Sequence, residues 1–171
     1  MSSTAARYFL IGFMGVGKTT IGRDLANHLG LPFYDLDDEI EKATGRRISE
    51  IFAEGSEAEF REIETRVLRQ IVGNDSGIIA TGGGTFIKPE NRAIIRSAGV
   101  SIWLDGATDQ VIDRGADDDR PLWHDEDQAR ALLAERLVHY RQADLRFDLK
   151  RSSPQEAAKQ IAKLLASCNV T

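Results

Sequence analysis

A chain of 171 residues with 42% hydrophobic and 29% charged side chains can bury one core and is too short for two full domains. Its 22 basic and 27 acidic side chains leave a net charge of −5, which supplies no bulk attraction for nucleic acid or an anionic membrane. No run nears the roughly 20 apolar residues of a membrane span. Residues 1–7 lack a signal-peptide pattern, and Cys168, the single cysteine, excludes an intrachain disulfide. A cytoplasmic monomer without nucleic-acid or membrane partners is expected.

In chain order, the first short apolar run, at 8–11, reads as a buried strand. A glycine-rich segment follows at 12–19, then an amphipathic helix over 18–29. A second strand at 33–36 carries the acids Asp35, Asp37 and Asp38 at its end and leads into helices at 38–44, 48–53 and 57–72. The third strand, 77–80, runs into Thr81-Gly82-Gly83-Gly84. A helix at 89–97 opens on Pro89, a residue suited to a first helical turn. A fourth strand at 100–104 precedes a polar tract at 115–120 and a helix at 127–140. A weaker strand at 145–149 and a helix at 154–165 opening on Pro154 complete the pattern. Strand and helix alternate, so the expected class is α/β: a five-stranded parallel sheet with helices on both faces. One domain spans 1–171, with a substrate-holding helical insert at about 38–73 and a mobile lid at about 114–125.

Residues 12–19, Gly-Phe-Met-Gly-Val-Gly-Lys-Thr, satisfy the phosphate-loop pattern G-x-x-x-x-G-K-[ST], with an apolar strand before it and a helix after it. The glycines let backbone N–H groups turn inward around a phosphate, and the helix adds the positive end of its dipole. Lys18 can neutralise the outer phosphates, and the Thr19 hydroxyl can ligate Mg²⁺. Gly15, Val16, Gly17, Lys18, Thr19 and Thr20 are thus the expected contacts to a nucleoside triphosphate.

A carboxylate near the metal and a group to take the acceptor's proton are also needed. The third strand ends in Thr-Gly-Gly-Gly rather than aspartate, so the second strand must supply the acids. Period-two geometry puts Asp35 and Asp37 on one side of that strand. The competing reading is a helix cap at Asp37 or Asp38.

These segments together resemble the shikimate kinase family, within the nucleoside monophosphate kinase-like P-loop fold. The resemblance runs from Phe9 to about Leu165. It covers the 12–19 loop, Asp35-x-Asp37, Ile51-Phe52 with Phe60-Arg61-x-x-Glu64, Gly82-Gly83-Gly84, Arg120-Pro121-Leu122 and Arg136-x-x-x-Tyr140. It implies transfer of the γ-phosphoryl of ATP to the 3-hydroxyl of shikimate, with Mg²⁺ as cofactor. By the same resemblance Lys18, Asp37 and Arg120 are catalytic, with Asp37 holding the acceptor hydroxyl. Asp35 holds the metal through water, beside Thr19. Asp37, Arg61, Gly82, Gly83, Gly84 and Arg136 bind shikimate, with the arginine pair on its carboxylate. Arg114 and Pro154 lie beside adenine, and Arg120 meets the transferring phosphate from the lid.

Arginine suits the carboxylate role because its planar fork makes two parallel hydrogen bonds. The bland alternative for Arg61 is a surface salt bridge to Glu57 and Glu64, which stand at helical spacing. Two departures from the family pattern bear on the acceptor side. Ser56-Glu57 replaces Gly-Glu ahead of Phe60-Arg61, and no proline falls between Arg136 and Tyr140. The rival functions are a same-fold kinase for gluconate or a nucleoside monophosphate, and a non-catalytic nucleotide-binding module.

Overall fold

The computed structural model describes residues 6–73, 76–106 and 126–167. Along these the order is β1 (Arg7–Ile11), α1 (Lys18–Leu29), β2 (Phe33–Asp35), α2 (Leu36–Thr44), α3 (Ile48–Glu54) and α4 (Glu57–Val72). Then come β3 (Gly77–Ala80), a 3₁₀ turn (Thr85–Ile87), α5 (Pro89–Ala98), β4 (Val100–Asp105), α6 (Glu126–Tyr140), β5 (Leu145–Asp148) and α7 (Pro154–Ser167). The strands pair in parallel in the order β2-β3-β1-β4-β5.

Side-chain alternation along the strands divides the core into two layers. Phe9, Ile11, Ile79 and Trp103 point to one face and pack with Leu36, Ile40, Phe60, Leu68, Phe86 and Tyr140. Tyr8, Leu10, Ile78, Ile102 and Leu104 point to the other and meet Ile21 and Leu25 of α1 and Ala157, Ile161 and Leu165 of α7. Leu36 and Ile40 belong to the first cluster, so the segment between β2 and β3 is anchored in the common core. Among the described residues no helix is long and apolar enough to cross a membrane.

The carboxyl ends of parallel strands are where ligands collect in open α/β sheets. Here the ends of β2, β3 and β1 lie side by side; β1 and β3 feed glycine-rich turns, and β2 runs directly into α2. The Thr81 hydroxyl donates to the Leu10 carbonyl at 2.8 Å, tying the end of β3 to the end of β1. One of the two edge strands, β5, alternates half-buried and exposed residues, which explains its weaker sequence signal. Its start is fixed by Asp144, which accepts from the Ser101 amide at 2.8 Å and hydroxyl at 2.6 Å.

One sequence expectation needs correction here. β2 ends at Asp35, and Leu36 is already helical. The cap of α2 is Asp35 itself, whose Oδ1 accepts from the Asp37 amide at 3.0 Å, and not Asp37 or Asp38. Asp37 therefore lies in the first turn of a helix, and strand alternation does not relate it to Asp35.

Candidate active site

A pocket of about 360 Å³ opens at the ends of β1, β2 and β3. The phosphate loop lines it through Met14, Gly15, Gly17, Lys18, Thr19 and Thr20. Asp35, Asp37, Thr81, Gly82 and Gly83 complete the wall. Gly15 and Gly17 take φ of 77° and 107°, values that a side chain strongly disfavours. That backbone turns the loop into α1, whose first turn, Lys18, Thr19 and Thr20, brings the helix N-terminus to the pocket. The Lys18 ammonium is nearly buried and donates to the carbonyls of Gly12 at 2.7 Å and Phe13 at 2.8 Å. Positive charge is thereby held inside the loop.

Thr19 Oγ1 donates to Asp35 Oδ2 at 2.6 Å. A hydroxyl and a carboxylate side by side at a phosphate loop are hard oxygen donors, and Mg²⁺ suits such a sparse set because it keeps several waters and shares substrate phosphates. Among the described residues no group of three or more His, Cys, Asp or Glu could hold a metal ion.

Across the pocket stands Asp37. Its pKa is raised from 3.8 to about 7, first by desolvation, then by the like charges of Asp35 and Glu64, against the opposing pull of Lys18. The carboxylate still meets solvent at the pocket mouth, so an acceptor displacing that water would push the pKa further up. A carboxylate titrating near neutrality is matched to proton transfer.

The glycine turn after β3 brings two arginines to the site. A Cβ on Gly84 would lie 2.3 Å from Arg61 Nη2, so the guanidinium rests directly on that backbone. Arg61 Nη1 reaches Glu64 Oε2 at 3.0 Å and Oε1 at 3.2 Å, Nη2 reaches Glu57 at 3.4 Å, and the group lies 5.1 Å from the Phe60 ring centroid. Both expected ion pairs exist, but Glu64 is fully buried, so the surface reading of this trio is corrected. Ser56 caps α4 by accepting from the Glu59 amide at 3.1 Å, so the departure ahead of Phe60 leaves a well-formed helix start.

Arg136 is 4% exposed, and its Nη1 has no hydrogen-bond partner among the described residues. A Cβ on Gly83 would stand 3.0 Å from that nitrogen. Burial works against its charge, the neighbouring Tyr140 supports it, and its guanidinium packs 5.8 Å from the Phe13 ring centroid in the phosphate loop. An orphaned, buried guanidinium N–H at a pocket edge calls for an anionic partner. Tyr140 donates to the Gly83 carbonyl, and its phenol is pushed up to about 12, chiefly by burial. α6 runs unbroken to Tyr140, so without a proline Arg136 and Tyr140 stack one turn apart.

The structure thus gathers Gly15, Gly17, Lys18, Thr19, Thr20, Asp35, Asp37, Gly82 and Gly83 around one pocket, with Gly84, Arg61 and Arg136 at its border. Val16 faces away, toward Gly106, and Pro154 begins α7 outside the pocket wall. Arg114, Arg120, Pro121, Leu122, Cys168 and the expected lid at 114–125 lie outside the described residues. Glu64, Tyr140 and Thr85 join the site as supports; the sequence offered Glu64 and Tyr140 only as motif members and did not single out Thr85. For Glu64 the signal was its phase: it shares the buried stripe of Phe60, Ile63, Val67, Leu68 and Ile71 on α4.

A family model described as shikimate kinase matches residues 14–166. A shikimate kinase of Synechococcus elongatus is 44% identical over 156 residues, covering 89% of this chain and 82% of the relative. That of Persephonella marina is 38% identical, covering 90% and 94%. Among solved structures, a shikimate kinase from Acinetobacter baumannii in complex with shikimate is 34% identical and superposes with a TM-score of 0.92 over 98% of this chain and 97% of that one. With a phosphate loop, a near-neutral carboxylate and two arginines meeting at a glycine turn, the chain belongs to the shikimate kinase family.

Proposed function

We propose that this site transfers the γ-phosphoryl of ATP to the 3-hydroxyl of shikimate, and that the residues gathered above divide the work. The observation that carries the reading is the placement of Asp37 in one pocket with Lys18, Thr19 and the glycine turn, where burial and like charges push its carboxyl up to about 7. It takes the proton of the acceptor hydroxyl as that oxygen bonds to phosphorus and the bond to ADP breaks. Lys18 and the amides at the start of α1 hold the phosphates and spread the developing charge. Thr19 and Asp35, through water, would hold Mg²⁺, which when bound supplies further neutralisation of phosphate charge.

On the acceptor side, Arg61 and Arg136 bind the carboxylate of shikimate. The unpartnered Arg136 Nη1 supports this assignment. Gly82, Gly83 and Gly84 admit the ring close to backbone, where side chains would collide with Arg61, Arg136 and Asp37. Arg120 delivers positive charge from the lid, and Arg114 and Pro154 flank the adenine; these roles rest on the sequence resemblance.

The test is ADP release in the presence of ATP and Mg²⁺ with shikimate, gluconate or a panel of nucleoside monophosphates. Turnover that depends on shikimate alone is expected. Turnover with another acceptor would keep the phosphate-loop reading and overturn the acceptor. ATP binding without any transfer would make the chain a nucleotide-binding module.

A further inference from the structure

Behind Arg61 lies a buried polar chain that the reaction scheme leaves unused. Glu64 is fully enclosed, and a desolvated carboxylate needs donors for its oxygens. One comes from Arg61 Nη1, which straddles both oxygens at 3.2 and 3.0 Å. The other is the hydroxyl of Thr85, which donates to Oε1 at 2.7 Å. Thr85 is itself fully buried and opens the 3₁₀ turn that follows the glycines, its amide donating to the Gly82 carbonyl at 3.2 Å.

Thr85 is held in turn. Its carbonyl accepts from Asn91 Nδ2 at 3.0 Å, and Asn91 Oδ1 stands 2.8 Å from the Thr65 hydroxyl. The same Thr65 hydroxyl lies 2.9 Å from the Arg61 carbonyl, closing a ring between α4, the 3₁₀ turn and α5. Thr65 and Asn91 are buried as well, so these groups have no solvent to exchange for one another. A Cβ on Gly82 would meet Thr85 Oγ1 at 3.1 Å, Glu64 Oε1 at 3.2 Å and Asp37 Oδ1 at 3.3 Å, which fixes how near this network comes to the reacting groups.

We infer that Thr85 is a positioning residue for the acceptor: its hydroxyl orients the Glu64 carboxylate, which in turn sets the Arg61 guanidinium over Gly84. The inference rests on the reading that Arg61 grips the acceptor carboxylate. Glu64 bound to Arg61 alone could rotate with it whenever a ligand drew the guanidinium outward. With Thr85 as a second, immobile donor, the carboxylate keeps its plane and Arg61 is presented in one geometry.

The test compares Thr85→Val, which keeps the shape and loses the hydroxyl, with Thr85→Ser, which keeps the hydroxyl and loses a methyl group. Shikimate is varied at saturating ATP and ATP at saturating shikimate, with Arg61→Lys measured alongside. Thr85→Val should raise the shikimate KM roughly tenfold or more, as loss of a hydrogen bond to a charged group does, and leave the ATP KM unchanged. Thr85→Ser should stay within about twofold of the parent, because the donor is retained. If the valine variant does not fold, Thr85→Ala set against Thr85→Ser isolates the same hydroxyl. An unchanged shikimate KM in Thr85→Val, equal damage in Val and Ser, or equal rises in both KM values would overturn the inference. If Arg61→Lys itself leaves the shikimate KM unchanged, the assignment of Arg61 fails first; if it raises that KM and Thr85→Val does not, only the role of Thr85 fails.

Discussion

The two walls of the pocket are built by opposite means. The phosphate wall is made of backbone: one contiguous loop, turned by glycines at φ of 77° and 107° and ended on a helix N-terminus. On the reading proposed above, the acceptor wall is made of side chains drawn from α2, α4, the turn after β3 and α6, with glycines used there to make room. A backbone wall suits phosphate, whose oxygens need many equivalent donors. A side-chain wall suits a small polyol acid, whose groups need different partners at fixed places.

The sharpest way to break this division is Asp37→Asn. Turnover should fall by about two powers of ten or more, the worth of general-base help, while ATP binding measured by calorimetry stays near that of the parent. Near-normal turnover would remove Asp37 from the chemistry.

A matched glycine pair separates the walls. Gly84 has an ordinary backbone conformation, so Gly84→Ala is opposed only by Arg61, whose guanidinium must move from a point 2.3 Å away. Its shikimate KM should rise roughly tenfold or more, as expected for a displaced bidentate contact. A Cβ on Gly17 would make only ordinary contact, 3.6 Å from Ile21, but its φ is 107°, so Gly17→Ala strains the loop by about 1–2 kcal/mol and should weaken ATP binding instead. Initial-rate measurements with each substrate varied in turn decide between the two; a shared effect on both constants would erase the distinction.

Acidity supplies a gentler probe. With Asp37 raised to about 7, kcat/KM for shikimate should climb as pH rises through that value, about tenfold per unit below it. The same shift fixes the sign of a stability effect. The folded protein binds the Asp37 proton between pH 3.8 and about 7, where the unfolded chain has released it, so this group's contribution to stability falls as pH rises through that window. Asp37→Asn should therefore raise the melting temperature, modestly because the side chain meets solvent, and more at pH 8 than at pH 5. A lower melting temperature at pH 8 would show that the charge is compensated.

The same contrast explains what could be read from the sequence. The strands were legible as short apolar runs, the phosphate wall as one unbroken motif. Strand order was not, because β3 inserts between β1 and β2 through crossovers that leave no local trace. The 3₁₀ turn at Thr85–Ile87 is too short to carry a period. Asp35 and Asp37 looked like neighbours on a strand; a capped turn unites them instead, since aspartate satisfies a helix start as readily as it lines a site. The support beneath Arg61 was hidden for a different reason. Glu64 and Thr85 are 21 residues apart, and Thr65 and Asn91 are 26 apart, so only the fold makes them partners.

The two-faced core carries a consequence for inheritance. On the reading above, everything that selects the acceptor after α2 hangs on the layer behind Phe9 and Ile11: α4, the 3₁₀ turn and α6. The opposite layer packs α1, which follows the phosphate loop, and α7 on Tyr8 and Leu10. Substitutions that retune the choice of acceptor can thus accumulate on one side of the sheet while the other keeps its sequence. The sheet thus sets the proposed acceptor-side elements and the α1–α7 pair in separate layers, so a change in one need not repack the other.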